Sequence, residues 1–516
     1  VSTLSPTARP TRIGRGPAAL IGVLAVAAAI AVGHLVGSVV SPSSSPYLAV
    51  TDAVVRLAPP WLVEFAKDAF GLADKAVLVA GTALVLLAVA VGAGLAARER
   101  TAPATTVVVV LGLLGTAAVV TSPTFAPVDL LAPAASLGTG MQVLRRLHAL
   151  ARPGADPGAG PARRTVLTGA LAAVGAGSLV AGGLGQLLTD RSAGSRAQVT
   201  AALRTATVAR RAPAVPASAA FAESVPFVTA TADFYRIDTA LRIPSGTAAE
   251  WSLRVHGLVD RELVVTFADL LARPLVERTV TMVCVSNPVG GDLVSTAVFT
   301  GVPLRDLLLE AGVRPGADQL LSTSADGWTA GTPVDVLLEP DRGALLAIGM
   351  NGEALPPEHG FPVRMVVPGL YGYVSATKWV TDLELTTFAA ERSYWLQRGW
   401  GERGPVKTMA RIDAPTGTGS VPAGRTVVAG AAWAPPRGVS RVEVRVDGGP
   451  WTDAELATDL GGDTWRMWRA VVDLPAGPRV LAARATDGDG NVQTSEVVDV
   501  LPDGATGYPT VTVTAV

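Results

Sequence analysis

Apolar positions fall into three patterns along the chain. Up to Leu188 they run in long unbroken blocks, from about Phe221 they come in short runs broken by Gly, Asp and Pro, and from about Val406 they alternate with polar residues. The blocks are long enough to cross a hydrocarbon core of about 30 Å, which takes about 20 helical residues. Pro17–Val40, Ala76–Ala97 and Thr105–Thr121 are rich in Ala, Val, Leu and Gly and carry no charged side chain. Ala126–Leu144 is a weaker fourth block, interrupted by Pro127, Asp129 and Pro133, and Thr165–Leu188 is a glycine-rich fifth. Residues 1–188 are therefore expected to form a membrane region of about five helices.

Residues 189–220, made of Ala, Arg, Ser and Pro without a lasting period, read as a linker or surface strap. Within 221–405, Trp251–Gly257 and Glu262–Phe267 suggest a strand pair, Phe267–Ala272 a short helix and Thr279–Val283 a buried strand. Val302–Ala311 has helical spacing through Leu304, Leu307, Leu308 and Ala311. Strands and short helices alternate irregularly, which predicts an α+β domain. Within 406–516, Arg441-Val-Glu-Val-Arg-Val446 puts valines on one side and charges on the other, and Asp447-Gly-Gly449 and Asp487-Gly-Asp-Gly490 supply turns. Roughly five or six such strands predict a small immunoglobulin-like β-sandwich, with Trp465 and Trp468 as packing residues.

Composition supports a lipid-embedded part, since 49% hydrophobic residues against 16% charged is rich for a soluble protein. A net charge of −1, with no basic run interleaved with aromatics, excludes nucleic acid as a partner class. Arginines give an orientation. Arg9, Arg12 and Arg15 precede the first block, Arg98 and Arg100 lie between the second and third, and Arg145, Arg146, Arg152, Arg163 and Arg164 lie between the fourth and fifth. With all five spans these clusters share the cytoplasmic side, so everything after Leu188 lies outside, and without the fourth span the large domain would face inward. Ala162-Arg-Arg-Thr-Val-Leu-Thr-Gly-Ala170 before an apolar stretch resembles a twin-arginine export signal, a route that moves folded proteins. The same two arginines also satisfy the positive-inside rule unaided.

The chain has one cysteine, Cys284, in Arg278-Thr-Val-Thr-Met-Val-Cys-Val-Ser-Asn-Pro-Val-Gly-Gly-Asp292. A lone thiol rules out an internal disulfide, four-cysteine metal sites and two-cysteine haem attachment, so any chemistry comes from one thiolate. A soft sulfur at a strand end beside a glycine-rich loop suits a metal, while a small apolar residue in a core is the plain alternative.

Taken with His359-Gly-Phe-Pro-Val-Arg-Met-Val-Val-Pro-Gly-Leu-Tyr-Gly-Tyr-Val-Ser-Ala-Thr-Lys-Trp379, the cysteine segment resembles the sulfite-oxidase-type molybdenum enzymes, in their bacterial membrane-attached form. The resemblance covers about Phe221 to Val516 and includes the sandwich, which serves as that family's dimerisation domain and so implies a homodimer. It implies that the Cys284 thiolate binds molybdenum beside one molybdopterin, leaving positions for oxygen-atom transfer. It further implies that Arg364, His359 and the Ser375-Ala376-Thr377-Lys378 segment hold the pterin and its phosphate. Asp233-Phe-Tyr-Arg-Ile-Asp238 resembles the segment closing over the pterin, which makes Tyr235 and Arg236 candidates, and Asn287 matches a family asparagine. Asp326-Gly-Trp328 and Met350-Asn-Gly352 match signature turns and read as structural.

One departure bears on substrate. Sulfite oxidases generally carry an arginine right after that asparagine, where this chain has Pro288, so a substrate cation would have to come from Arg236 or from the basic stretch Arg392 to Arg411. The leading expectation is a membrane-anchored oxidoreductase acting on a small extracytoplasmic molecule, with Cys284, Arg236 and Asn287 catalytic and an external cytochrome- or quinone-linked electron carrier. Sulfite dehydrogenation proper and a non-enzymatic binding module are the alternatives, and a transporter is disfavoured because the spans lack paired charges and broken helices. Only His34 and His148 lie in or near the spans, at opposite membrane faces on the five-span topology, so no b-type haem is expected. Exchanging both Arg163 and Arg164 for lysine is expected to impair export of a reporter fused after Leu188. Normal export would leave the pair as positive-inside residues only.

Overall fold

The computed structural model describes the chain apart from residues 1–11, 42–43, 60–61, 63–64, 66–68, 71–73, 123–124, 153–159, 190–191, 241–242 and 418–419, and apart from the side chains of 74, 160–164, 166–167 and 185–189. The expectations placed on Arg9 and on the Arg163–Arg164 side chains lie outside the described residues. The chain divides into two compact units, one ending at Arg191 and one beginning at Ser192.

The first unit is helical: α1 (Arg15–Val40), α2 (Pro46–Leu57), α3 (Asp74–Ala96), α4 (Ala102–Val120), α5 (Leu131–Ala151) and α6 (Gly160–Thr189). Three of these, Arg15–Val40, Lys75–Ala96 and Ala102–Val120, are long and apolar enough to cross a membrane. The fourth expected span is different. Pro127–Leu130 forms a 3₁₀ turn in which the Asp129 carboxylate accepts the Ala126 N–H at 2.8 Å, and α5 then runs past Arg145 and Arg146. In the fifth, the helix is continuous but its apolar stretch is Thr168–Leu184.

Small residues set the contact between α1 and α3, because a Cβ on Gly22 or on Gly94 would strike the opposing helix backbone. At one end of the unit the Ile13 N–H donates to the Arg98 carbonyl at 3.0 Å, Arg12 pairs with Glu99, and Arg152 Nη2 donates to the Glu99 carbonyl at 2.9 Å. The basic clusters thus gather together. His148 Nε2 contacts the Ala97 carbonyl at 2.7 Å at this same end, whereas His34 lies about 30 Å further along α1 by helix rise.

The second unit begins with a correction. Where a linker was expected, Ser192–Thr205 forms helix α7, with Val199 buried and Leu203 against the core. Arg196 Nε donates to the Leu355 carbonyl at 3.0 Å, and Thr200 Oγ1 accepts the Ala354 N–H at 3.0 Å. Its apolar positions are Ala, Val and Leu spread among Arg, Ser and Thr, and docking supplies the order that periodicity did not advertise.

Two sheets follow. One runs β1 (Val208–Arg210), β4 (Leu275–Val283), β5 (Val294–Pro303), β8 (Leu345–Met350), β10 (Arg364–Val366), with β9 (Glu353–Ala354) beside β8. The other runs β3 (Leu263–Thr266), β2 (Ser252–Gly257), β11 (Val380–Thr386), β6 (Gln319–Ser324), β7 (Thr329–Pro333). Short helices α8 (Phe267–Leu271), α9 (Leu304–Ala311), α10 (Val334–Leu338) and α11 (Gly372–Ser375) connect them. Thr266 caps α8, its hydroxyl accepting the Asp269 N–H while Asp269 accepts the Thr266 N–H. Helix α9 buries Leu304, Leu307, Leu308 and Ala311 and stops at Gly312, which has φ +74°.

The C-terminal region is β-rich. One sheet is β12 (Met409–Ala414), β14 (Gly424–Trp433), β18 (Arg466–Leu474), β17 (Glu455–Leu456). Its companion is β13 (Ser420–Val421), β20 (Thr510–Ala515), β19 (Gly477–Asp487), β15 (Val439–Val446), β16 (Thr452–Asp453). The strands outnumber the expected five or six because several are two-residue edge pieces without a readable alternation. Between the sheets lie Val442, Val444, Trp468, Leu481 and Val513. Trp433, Trp465 and Met467 belong instead to the core shared with the preceding sheets. Trp468→Ala is expected to cost about 3–5 kcal/mol through lost burial and the cavity left behind, read as a lowered denaturant midpoint.

Candidate active site

Cys284 follows β4 directly, where the strand can no longer continue because Asn287-Pro288 and Gly290-Gly291 turn the chain. Its N–H donates to the Leu293 carbonyl at 2.9 Å and its carbonyl accepts the Asn287 N–H at 3.1 Å. Asn287 Oδ1 accepts the Leu293 N–H at 2.9 Å and closes the loop. A Cβ on Gly291 would lie 2.5 Å from that oxygen, so only glycine lets the loop fold this tightly. Cys284 itself is buried.

Two tyrosines stand close enough to the thiol for their electrostatics to register. Burial pushes the Tyr235 phenol well above its usual range, Cys284 adds to the rise and Arg364 opposes it. Burial likewise pushes Tyr371 up to about 12, with Cys284 and Asp503 contributing in the same direction. Both therefore stay protonated near neutral pH as O–H donors. Between them is Gly372, where an added Cβ would sit 3.7 Å from Tyr235 Oη and 3.9 Å from the Val283 carbonyl. The Tyr235 N–H donates to Ser295 Oγ at 3.1 Å, and Phe234 packs edge-on against both His359 and Phe299.

Arg364 on β10 is buried, yet its donors reach only carbonyls: Nη1 to His359 at 3.2 Å, Nη2 to Ala376 at 3.5 Å and Nε to Met365 at 3.4 Å. Among the described residues no carboxylate lies within ion-pair distance of it. Desolvation accordingly pulls its pKa down to about 10. Lys378 donates to Asp238 Oδ2 at 3.2 Å and to the Glu358 carbonyl at 3.0 Å, and burial lowers it to about 8. Arg236 Nε shares the same Asp238 oxygen at 2.9 Å. Burial, with Arg364 and Lys378 beside it, drives His359 down to about 3 and keeps it neutral. Arg236 and Lys378 thus share the Asp238 carboxylate while Arg364 leans on carbonyls, and burying a guanidinium without a counter-charge is unfavourable unless an anion completes it. That surplus fits the phosphate of a pterin cofactor.

Of the expected residues, Cys284 and Tyr235 come together on one side, and His359, Arg364, Lys378 and Arg236 on the other. For five of the expected residues the structure shows which groups already engage them. Ser375 Oγ donates to the Leu370 and Tyr371 carbonyls, and Thr377 Oγ1 bonds Ser322 Oγ at 2.6 Å, so neither hydroxyl is offered to a phosphate. Ala376 contributes the carbonyl that Arg364 uses. Asn287 spends its side-chain oxygen on the loop, which makes it a positioning residue. Arg236 sits with the His359 cluster, its guanidinium on Asp238. The basic stretch is engaged too: Arg392 and Arg398 donate to carbonyls, Arg403 pairs with Asp335, and Arg411 pairs with Asp413 while reaching the Gly291 carbonyl at 3.4 Å. Sequence reading passed over Tyr371, Asp238 and Asp503. The first two lie inside the motif segments already singled out, while Asp503 comes from a distant loop and left no signal.

A family model described as the oxidoreductase molybdopterin binding domain matches residues 240–395. Sulfite oxidase of Gallus gallus is 30% identical over 308 residues, covering 50% of this chain and 67% of that protein. The uncharacterized oxidoreductase YuiH of Bacillus subtilis (strain 168) is 36% identical over 155 residues, 30% of this chain and 74% of that one. The NADH nitrate reductase 2 of Nicotiana tabacum is 34% identical over 178 residues, 30% of this chain and 20% of the relative. The chain belongs to the sulfite-oxidase-type molybdopterin-dependent oxidoreductases. It is an enzyme of that class, which sets the binding-module alternative aside.

The depressed His359 pKa has a stability consequence with a definite sign. Between about pH 6.5 and about pH 3 the unfolded chain takes up a proton that the folded protein refuses, so this group's contribution to stability falls as pH drops through that window. His359→Gln is expected to flatten the loss of urea resistance between about pH 7 and about pH 5. An unchanged slope would assign the acid sensitivity to other groups.

Proposed function

We propose that the chain is a membrane-anchored, molybdopterin-dependent oxidoreductase that transfers an oxygen atom to or from a small extracytoplasmic substrate, with Cys284 as the protein ligand of molybdenum. The observation that carries this reading is the pairing of the chain's one cysteine thiol, buried and near two phenols, with a buried guanidinium that has no acidic partner among the described residues. Molybdenum held by a thiolate and one pterin supplies a two-electron couple with positions left for oxygen. On this reading Arg364 and Lys378 receive the cofactor's phosphate, neutral His359 lines the cluster with its ring hydrogen-bonded to the Thr231 backbone, and Asp238 holds Arg236 and Lys378 in place. Asn287 fixes the cysteine loop, while Tyr235 Oη and Tyr371 Oη keep their protons and donate toward the reacting side.

Helices α1, α3 and α4 anchor the enzyme, and the gathering of the Arg12, Arg98 and Arg152 ends supports a cytoplasmic face there. With α5 and α6 also crossing, residues from Ser192 onward lie outside, and residues 406–516 form an immunoglobulin-like sandwich suited to pairing two copies. Electrons pass to or from a separate carrier, because His148 on α5 contacts the Ala97 carbonyl at the end of the unit where α1 begins, and His34 lies about 30 Å along α1 from that end, which favours no haem bridging them.

Cys284→Ser, which replaces a soft ligand by a hard hydroxyl at nearly constant volume, is expected to leave a folded, membrane-bound protein with turnover reduced roughly a thousand-fold or more. Molybdenum per chain and turnover with a dye partner measure this together. Undiminished turnover would defeat the assignment of the thiol.

A further inference from the structure

Strand β12 turns one side to the core between the C-terminal sheets and the other to the sheets that precede it. Ala410 and Ile412 lie in the first core, while Met409 and its strand partner Trp433 belong to the core shared with the preceding sheets. Arg411 and Asp413 alternate with Ala410 and Ile412, so both side chains leave the C-terminal core. Each is only 9% exposed, and Arg411 Nε donates to Asp413 Oδ1 at 2.5 Å. The guanidinium lies over the Trp465 ring at 5.8 Å, and its Nη1 donates to the Gly291 carbonyl at 3.4 Å. Asp413 Oδ2 is buried without a hydrogen-bond partner among the described residues, and burial pushes this carboxyl up against the pull of Arg411. A buried ion pair left partly unsatisfied adds little stability over apolar side chains of the same size. What distinguishes this pair is the peptide that its free arm reaches.

Gly291 closes the turn that follows Cys284. Its N–H donates to the Pro288 carbonyl at 2.9 Å, with Gly290 at φ +77°. Two residues on, Leu293 grips the cysteine, its carbonyl accepting the Cys284 N–H at 2.9 Å and its N–H donating to Asn287 Oδ1 at 2.9 Å. These bonds hold the loop together, and the bond from Arg411 ties it to a strand 120 residues away. We infer that Arg411 is a positioning residue, which anchors the Gly291 peptide to the C-terminal sheets and thereby fixes the direction in which the Cys284 thiol points. The consequence for the metal rests on the reading of Cys284 as its ligand, and the anchoring does not. With its charge met by Asp413, Arg411 is withdrawn from the cations considered for the substrate. The role depends on the guanidinium's planar fork, one donor on the carboxylate and another on the carbonyl. A lysine here keeps the ion pair and loses the second, fixed direction.

The test exploits the chain's one cysteine, since alkylation by iodoacetamide then reports a single site. Full-length protein is prepared with and without cofactor, as wild type, Arg411→Lys, and the double variant Arg411→Met with Asp413→Asn, which removes both charges together. In the cofactor-free protein both variants are expected to raise the alkylation rate about tenfold in native buffer, with the urea midpoint of Arg411→Lys close to wild type. In the holoenzyme the visible absorption of the thiolate–metal bond is expected to shift in both. Trp468→Ala serves as a control that weakens the C-terminal sheets away from the loop, lowering the midpoint and leaving the alkylation rate unchanged. Alkylation unchanged in Arg411→Lys, or rates that merely follow the urea midpoint across all the variants, overturns the inference. Molybdenum content separates the two levels, because protein that lacks the metal but passes the alkylation test contradicts the reading of Cys284 alone.

Discussion

A guanidinium held in a protein interior without a carboxylate is a standing cost, and the arrangement around Arg364 is organised to tolerate it. Its three donors lean on carbonyls at 3.2 to 3.5 Å, long for charge-assisted bonds, and it lies over the face of Phe299 at 5.7 Å. Asp238 is shared by Arg236 and Lys378. Burial is the main cause of the shifted proton affinities here, and the Arg364 charge adds to the lowering of His359 and Lys378 and opposes the rise of Tyr235. A protein keeps such an imbalance at a functional site when an incoming anion removes it.

The cysteine side depends on the C-terminal sheets more than a modular view of the chain suggests. Thr281, three residues before Cys284 on β4, donates its N–H to the Asp463 carbonyl at 2.9 Å and accepts the Trp465 N–H on its hydroxyl at 2.7 Å. The same hydroxyl meets Thr296 Oγ1 at 2.5 Å, and Thr296 exchanges bonds with Thr229, which Asn351 holds along with Thr231. A buried polar chain therefore joins β18's approach to the backbone near His359. Satisfied networks of this kind are stiff, since losing one member strands its partner. Trp465, whose Nε1 donates to the Phe227 carbonyl at 2.9 Å, locks the same junction from the apolar side.

How much of this could be read in advance depends on how local the signal was. The strand ending at Cys284, the Leu304–Ala311 helix and the alternation at Arg441–Val446 were legible because periodicity and turn residues act over a few positions. The grouping of His359, Arg364 and Lys378 was suggested by the family resemblance of their segment and not by spacing alone. Ser375 and Thr377 misled, because a hydroxyl's partner is chosen by tertiary packing, and here backbone carbonyls and Ser322 claimed them. Asp503 was invisible for the same reason, since its relation to Tyr371 exists only once the C-terminal loop is laid down. The segment Ala126–Leu144 reads as the weaker fourth block for a local reason too, since its first proline and its acid lie in a turn ahead of α5.

Helix α7 and strand β1 carry a practical meaning for where the second unit can be cut. β1 covers the outer side of β4, the strand that ends in Cys284, pairing Val208 with Leu275 and Arg210 with Val276. A fragment starting at Phe221, as the apolar pattern alone would recommend, would leave β4 as a bare sheet edge and uncover the surface beneath Val199 and Leu203. Exposed edges of that kind recruit other chains. The second compact unit of this protein has its border at Ser192, and the stretch that looks dispensable is the one that shields the strand delivering the thiol.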